Sequence, residues 1–254
     1  MTRVIRSPQE FKQWRREQAG LTVGFVPTMG ALHAGHESLL QKSREENELS
    51  ILSIFVNPTQ FNDPKDFEKY PVTWEKDLAL AEARGVDVVF YPRPEEMYPD
   101  AYHYKVTEDD ISKALCGASR PGHFDGVLTV VMKLLNIVSP TKAYFGEKDF
   151  QQLTLVQGMV RAFFMDVILV PVPTLREEDG LAMSSRNLRL TAEQRALAPA
   201  LYKTMITAKT AEEAAAALTQ QGFTVDYVTD LKGRRFVAAF LGEVRLIDNV
   251  QINR

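Results

Sequence analysis

The sequence predicts an α/β protein: a Rossmann-like, doubly wound parallel sheet with a smaller C-terminal α+β domain. Short apolar runs alternate with segments of helical spacing through the first 174 residues. That is the pattern of parallel strands joined by crossover helices. Polar and glycine-bearing residues follow the apolar runs, at the strand ends where ligands bind in such sheets. After Pro173 the texture changes to a charged, turn-rich connection and a different order of elements. The expected domains are therefore residues 1–174 and 175–254.

Residues 21–26 read as the first strand, and 37–47 continue a helix opened by the segment between them. Residues 50–56 form a buried strand that stops at Asn57-Pro58, since proline removes a ladder donor. Residues 75–84 have helical spacing and end at Gly85, and 86–91 make the next strand. Residues 124–138 are apolar on nearly every side, which predicts a buried helix ended by Pro140. Residues 142–145 and 167–172 are further strands. In the second domain, 191–208 and 211–220 are helical, the first with Thr191 as N-cap. Residues 223–228 and 235–247 are strands separated by a turn at Lys232-Gly233.

Composition bounds the function. The chain is 45% hydrophobic and 25% charged, so it has the makings of a packed core. A net charge of −3 argues against general attraction to nucleic acid or anionic membrane. Neither a signal-peptide h-region nor an apolar run of bilayer length is visible, which predicts a cytoplasmic protein. The single cysteine, Cys116, cannot form an internal disulfide and reads as a packing residue.

The stretch VGFVPTMGALHAGH at 23–36 is the most informative segment. Two imidazoles, His33 and His36, stand three apart, a spacing that places helical residues on one face. A strand, a tight turn and a helix N-terminus together favour an anion, so the segment reads as a phosphate-handling site. A zinc pair and a purely structural cap are the alternatives; no cysteine pair or acidic third ligand follows at a usual zinc spacing. Gly146, Glu147, Lys148 and Asp149 follow a strand end, where a lysine ammonium suits phosphate oxygens. Met183, Ser184, Ser185 and Arg186 offer two hydroxyls and a guanidinium, or else simply a capping turn. Gln60 and Gln152, with Asn57 beside the first, can bind a polar, uncharged group or a carboxylate. Arg120 to Val127 is either a loop near the site or the turn that opens the buried helix.

With these segments in hand, the chain resembles the pantoate–β-alanine ligase family of the nucleotidyltransferase superfamily. The matching segments are FVPTMGALHAGH, FVNPTQF, RPGHFDGV-TVV, YFGEKDFQQL, PTLREEDGLAMSSRN and VRLIDNV, in the family's order and across nearly the whole chain. The resemblance implies an AMP-forming ligase that condenses (R)-pantoate with β-alanine through pantoyl adenylate, for coenzyme A biosynthesis. It implies Mg2+ with ATP as co-substrate, a homodimer and a C-terminal lid; no residue is assigned as a metal ligand. It places ATP contacts at Met29, Gly30, Ala31, Leu32, His33, Ala34, Gly35 and His36, with His36 as proton donor and His33 on the phosphates. The remaining ATP contacts fall on Gly146, Glu147, Lys148, Asp149, the Leu175 backbone, Met183, Ser184, Ser185 and Arg186. His36, His33 and Lys148 are the expected catalytic groups. Gln60 and Gln152 match the pantoate-binding glutamines, with Gln60 also near β-alanine, and Asn57 joins them as a substrate contact.

The chain departs from the family pattern at Val72, where arginine is frequent, and at Lys65, where an acidic residue is frequent. Its C-terminal domain also reads as short. Two rival functions share the first motif: a sister enzyme that adenylylates a phosphate, and a non-catalytic nucleotide sensor. The two glutamines favour a carboxylate substrate over a phosphate, because a phosphate pocket would ask for more basic residues.

Overall fold

The computed structural model describes residues 2–252 and divides into two compact units. Residues up to Gly146, together with Gln151–Val172, form the first; Glu147–Phe150 and the chain from Pro173 onward form the second.

The first unit is built on six strands: β1 (Arg3–Ile5), β2 (Val23–Thr28), β3 (Leu49–Ile54), β4 (Val88–Phe90), β5 (Lys142–Gly146) and β6 (Ile168–Val172). Their order is β1-β4-β3-β2-β5-β6, and every pair is parallel. The chain winds outward from β2 through β3 and β4, then returns to add β5 and β6 on the other side of β2. The order therefore reverses between β2 and β5, where Gly24 and Phe25 lie opposite Lys142 and Ala143. Crevices form at such a reversal. Val26 and Leu52 pack with Leu39 and Leu40 of helix Ala34–Glu46 and with Ala81 of helix Trp74–Ala83. Their strand neighbours Phe25 and Ile51 point to the opposite face and are equally inaccessible. Burying each large side chain contributes about 1.5–3 kcal/mol. The helix expected at 124–138 runs His123–Val138 and is buried along most of its length.

The second unit holds a three-stranded antiparallel sheet in the order β7-β8-β9: β7 (Thr224–Leu231), β8 (Arg234–Leu241) and β9 (Val244–Gln251). Leu201, Met205 and Leu218 from helices Ala200–Thr207 and Ala211–Gln220 pack on Val237, Ala239 and Leu246 of the sheet. Arg235 is buried but satisfied: Asp230 pairs with its guanidinium at 2.7 and 3.1 Å, and the Ala208 and Lys209 carbonyls accept from it.

Four features differ from the sequence-based expectation. The strand expected at 235–247 is a hairpin, turned at Gly242 (φ +57°), because thirteen residues exceed what this small sheet spans in one pass. The helix expected at 191–208 breaks into Ala192–Leu197 and Ala200–Thr207 around Pro199, which has no N–H to continue the ladder. Edge strand β1 and helix Pro8–Glu17 were absent from the expectation; three residues are too few to show periodicity. Helix Phe150–Ala162, the β5–β6 crossover, was also absent from it. Among the described residues, no helix is long and apolar enough to cross a membrane.

Candidate active site

The loop after β2 carries the first group of expected residues. Gly30 (φ +83°) and Ala31 (φ +50°) are both left-handed, a conformation that costs a residue with a side chain about 1–2 kcal/mol. Asp77, buried in the first turn of helix Trp74–Ala83, holds the loop there. Its carboxylate accepts the Ala31 N–H at 2.9 Å and the Leu32 N–H at 2.8 Å, and also the Thr73 hydroxyl at 3.0 Å. A Cβ at Gly30 would meet Asp77 Oδ2 at 2.9 Å and Ile54 Cγ2 at 3.1 Å, so only glycine fits beside the clamp. Neither Asp77 nor Thr73 was singled out from sequence; an acidic first-turn residue ordinarily serves the helix dipole.

The two histidines were expected on one helical face, but His33 is the N-cap residue, with extended backbone outside helix Ala34–Glu46. The rings still meet, with centroids 4.1 Å apart, because they form a reciprocal capping box. His33 Nδ1 accepts the Gly35 N–H at 3.1 Å, and His36 Nδ1 accepts the His33 N–H at 3.3 Å. An accepting Nδ1 places the proton of each neutral ring on Nε2. Backbone donors thus orient two Nε2–H groups at a helix N-terminus. Met29 and Gly30 also line a cavity of about 280 Å³, together with Val72, Thr73, Trp74 and Asp77. The departure at Val72 falls on that wall, 71% exposed.

Gln60 ends the short helix Pro58–Gln60 after β3. Its side-chain Oε1 accepts from Asn57 Nδ2 at 3.0 Å, and its Nε2 approaches Met29 Sδ at 3.2 Å. Asn57, expected as a substrate contact, is held by the protein in this structure. It is 1% exposed; its amide hydrogens go to Gln60 Oε1 and Gly126 O, and its oxygen accepts from Thr59 and Tyr98. All four bonding positions are filled by protein, so Asn57 positions Gln60. Burial holds the Tyr98 phenol at about 12, keeping it a donor to Asn57. Arg120 and buried His123 fix the Gln60 carbonyl, at 3.2 and 2.7 Å, so the turn that opens the helix also holds Gln60. Gly126 lets that helix approach, since a Cβ there would lie 2.5 Å from Thr59 O.

Gln152 lies in the first turn of helix Phe150–Ala162, half-buried, its side chain without a hydrogen bond among the described residues. Its neighbour Gln151 is the structural one: it accepts from Cys116 N and donates to the Ile111 and Ala114 carbonyls. Cys116 is buried, as a packing residue should be.

In the second unit, Lys148 sits in the short helix Glu147–Asp149, its side chain mostly buried and its Nζ 3.5 Å from Asp149 Oδ2. Asn249 of β9 donates to the Glu147 and Lys148 carbonyls, both at 2.9 Å. The segment 175–183 folds as a short hairpin: Leu175 O accepts from Met183 N, and Arg176 bridges Ala182. Ser184 then caps the helix Ser185–Arg189 by accepting the Arg186 N–H at 3.3 Å. Arg195 ties the hairpin down through Glu177 at 2.5 Å and Asp179 at 2.6 Å. The capping reading of the Ser-Ser-Arg segment therefore holds for Ser184, whatever else the hydroxyl does. Asn249 and Arg195 were not identified from sequence, because each acts on residues distant along the chain.

Comparison with known proteins gives these groups a context. Residues 3–251 match the family model described as pantoate-beta-alanine ligase. A pantothenate synthetase from Bdellovibrio bacteriovorus is 70% identical, covering 99% of this chain and 100% of that protein. One from Coxiella burnetii is 50% identical over 98% of this chain and 97% of its own. Among solved structures, a Francisella tularensis pantoate-beta-alanine ligase complexed with beta-gamma ATP and beta-alanine superposes with a TM-score of 0.95, at 40% identity. That match covers 99% of this chain and 98% of the other. Pantothenate synthetase from Thermus thermophilus gives 0.90 at 41% identity, over 98% and 99% of the two chains. The expected shortness of the C-terminal domain does not apply against these relatives, which are covered almost end to end.

Proposed function

The chain belongs to the pantoate-beta-alanine ligase family, and on that premise we propose how its residues carry out the ATP-dependent condensation of (R)-pantoate with β-alanine. In the first step a pantoate carboxylate oxygen bonds to the α-phosphorus of ATP. The bond to the bridging oxygen breaks, and pyrophosphate leaves. In the second step the β-alanine nitrogen bonds to the acyl carbon of pantoyl adenylate and loses a proton, while the carbon–oxygen bond to AMP breaks. No covalent enzyme intermediate is required.

The observation that carries this reading is the reciprocal imidazole cap at the N-terminus of helix Ala34–Glu46. It sets two Nε2–H donors and the positive end of a helix at one place, the arrangement that stabilises charge growing on phosphate. We assign His36 and His33 to the phosphates, with the loop from Met29 to Gly35 supplying backbone contacts. Lys148, Ser184, Ser185 and Arg186 are assigned as further phosphate donors, and Gly146, Glu147, Asp149, Leu175 and Met183 as the remaining ATP contacts. Gln60 and Gln152 hold pantoate. Their uncharged amides orient a carboxylate without quenching it as a nucleophile, and half-buried Gln152 has bonding capacity to give. Mg2+ would enter this reaction as an ion carried on the ATP phosphates, where it offsets their charge. The same family membership supports a cytoplasmic homodimer, which sedimentation equilibrium tests.

The deciding experiment is isotope exchange between pyrophosphate and ATP. Exchange should depend on pantoate and proceed without β-alanine. Equal exchange without pantoate, or none in a folded sample that binds ATP, would overturn the adenylate route.

A further inference from the structure

The tail segment VRLIDNV resembles the family, yet none of its residues is a substrate contact in the reading above. We propose that its adjacent residues Asp248 and Asn249 are positioning residues that hold both phosphate-binding segments of the second unit; the inference rests on the role assigned to Lys148.

Neighbouring residues of a strand point to opposite faces. In β9 the two side chains accordingly reach different segments. Asn249, 4% exposed, donates one amide hydrogen to Glu147 O and the other to Lys148 O, each at 2.9 Å. Those carbonyls flank the Lys148 Cα, so the clamp fixes the backbone from which the ammonium projects. Asn249 Oδ1 accepts from Arg234, which also lies 3.4 Å from Glu147 Oε2 and over the Phe150 ring at 4.0 Å. Asp248, 3% exposed, takes Arg176 in a two-pronged pair at 2.6 and 3.0 Å. Arg176 stacks on Tyr202 at 3.7 Å and donates to Gly180 O, which holds the hairpin leading to Met183 and Ser184. The Asn249 N–H donates to Asp248 Oδ1 at 2.8 Å and couples the two clamps.

Stability alone does not call for this arrangement. Leu246 and Val250 of the same strand already face the apolar core, and buried ion pairs are often replaceable by apolar groups without loss. What the polar pair supplies is register: each ligand-facing segment is tied to one rigid strand. A misplacement of about 1 Å at a reacting group can cost about a hundredfold in rate.

A double-mutant cycle on the full-length enzyme tests the clamp, read as pantoate-dependent pyrophosphate exchange. Asn249→Ala should lower kcat about tenfold to a hundredfold, with a smaller change in KM for ATP. In a Lys148→Ala background the same substitution should add less than about twofold, because its effect passes through the lysine. Conversion of preformed pantoyl adenylate to pantothenate should stay near the wild-type rate, which a general loss of structure would not allow. Asn249→Asp, which keeps the side chain's size but turns an oxygen toward the two carbonyls, should show the same pattern and serves if the alanine variant does not fold. Effects that multiply in the two backgrounds, or equal damage to both half-reactions, would overturn the clamp alone. Lys148→Ala at the wild-type rate would overturn the assigned role of Lys148 and this inference with it.

Discussion

Replacing Asp77 with asparagine tests how the loop after β2, proposed to bind phosphate, is held. The carboxylate uses Oδ2 for the Ala31 N–H and Oδ1 for the Leu32 N–H and the Thr73 hydroxyl. An asparagine keeps one accepting oxygen and turns an amide toward the other N–H, so one charge-assisted bond is lost and one buried donor is stranded. Such a loss costs about 1.5–3 kcal/mol. The left-handed Ala31 adds about 1–2 kcal/mol of strain that this clamp opposes, so weakening the clamp favours relaxation of the loop. Part of the cost should appear as a lower urea midpoint. The rest should appear as weaker use of ATP, because residues 29–33 no longer present their backbone to the phosphates. Pyrophosphate exchange over a range of ATP, alongside urea unfolding, separates the two. Thr73→Val, which removes only the hydroxyl donor, should give a milder version of the same profile. A variant Asp77→Asn with unchanged unfolding and unchanged exchange would refute the clamp.

Gln152→Ala should weaken pantoate binding by about 1–3 kcal/mol and leave ATP binding nearly intact, measured by calorimetry; lost ATP affinity with unchanged pantoate affinity would reverse the assignment. His36→Ala should slow single-turnover formation of pantoyl adenylate about a hundredfold, the usual cost of one well-placed oxyanion donor, and weaken the helix cap by about 1 kcal/mol. In quench-flow the same variant should spare the second half-reaction, and equal loss in both would mean that the ring only holds the site together. Asp100 accepts from the Tyr104 N–H and from Lys133, which lower its carboxyl from 3.8 to about 2. Its contribution to stability is therefore complete above the ordinary carboxylate range and is lost as pH falls from about 4 toward 2. Asp100→Asn should flatten the acid limb of a stability–pH profile in that window, and an unchanged limb would count against the pairing.

Most of what the sequence by itself determined lies in local pattern. Strands β2 to β6 were legible because buried parallel strands are continuous apolar runs bounded by Gly, Pro or Asn. Helix His123–Val138 was legible because it is apolar nearly all round. His33 and His36 stood out by their spacing at a helix start, Lys148 by its place after a strand end, and the Ser-Ser-Arg segment by its run of donors; the resemblance then supplied their roles. Tertiary structure alone decided how those residues are held. Asp77 lies forty-six positions from the Ala31 amide it fixes, and Asn249 about a hundred from Lys148. No local periodicity records a hydrogen bond of that span. Asn57 makes the point in reverse: beside Gln60 it reads as a second ligand group, and the fold gives each of its bonding positions a protein partner. Residue type states which bonds a side chain can make, and only the fold decides which of them are already taken.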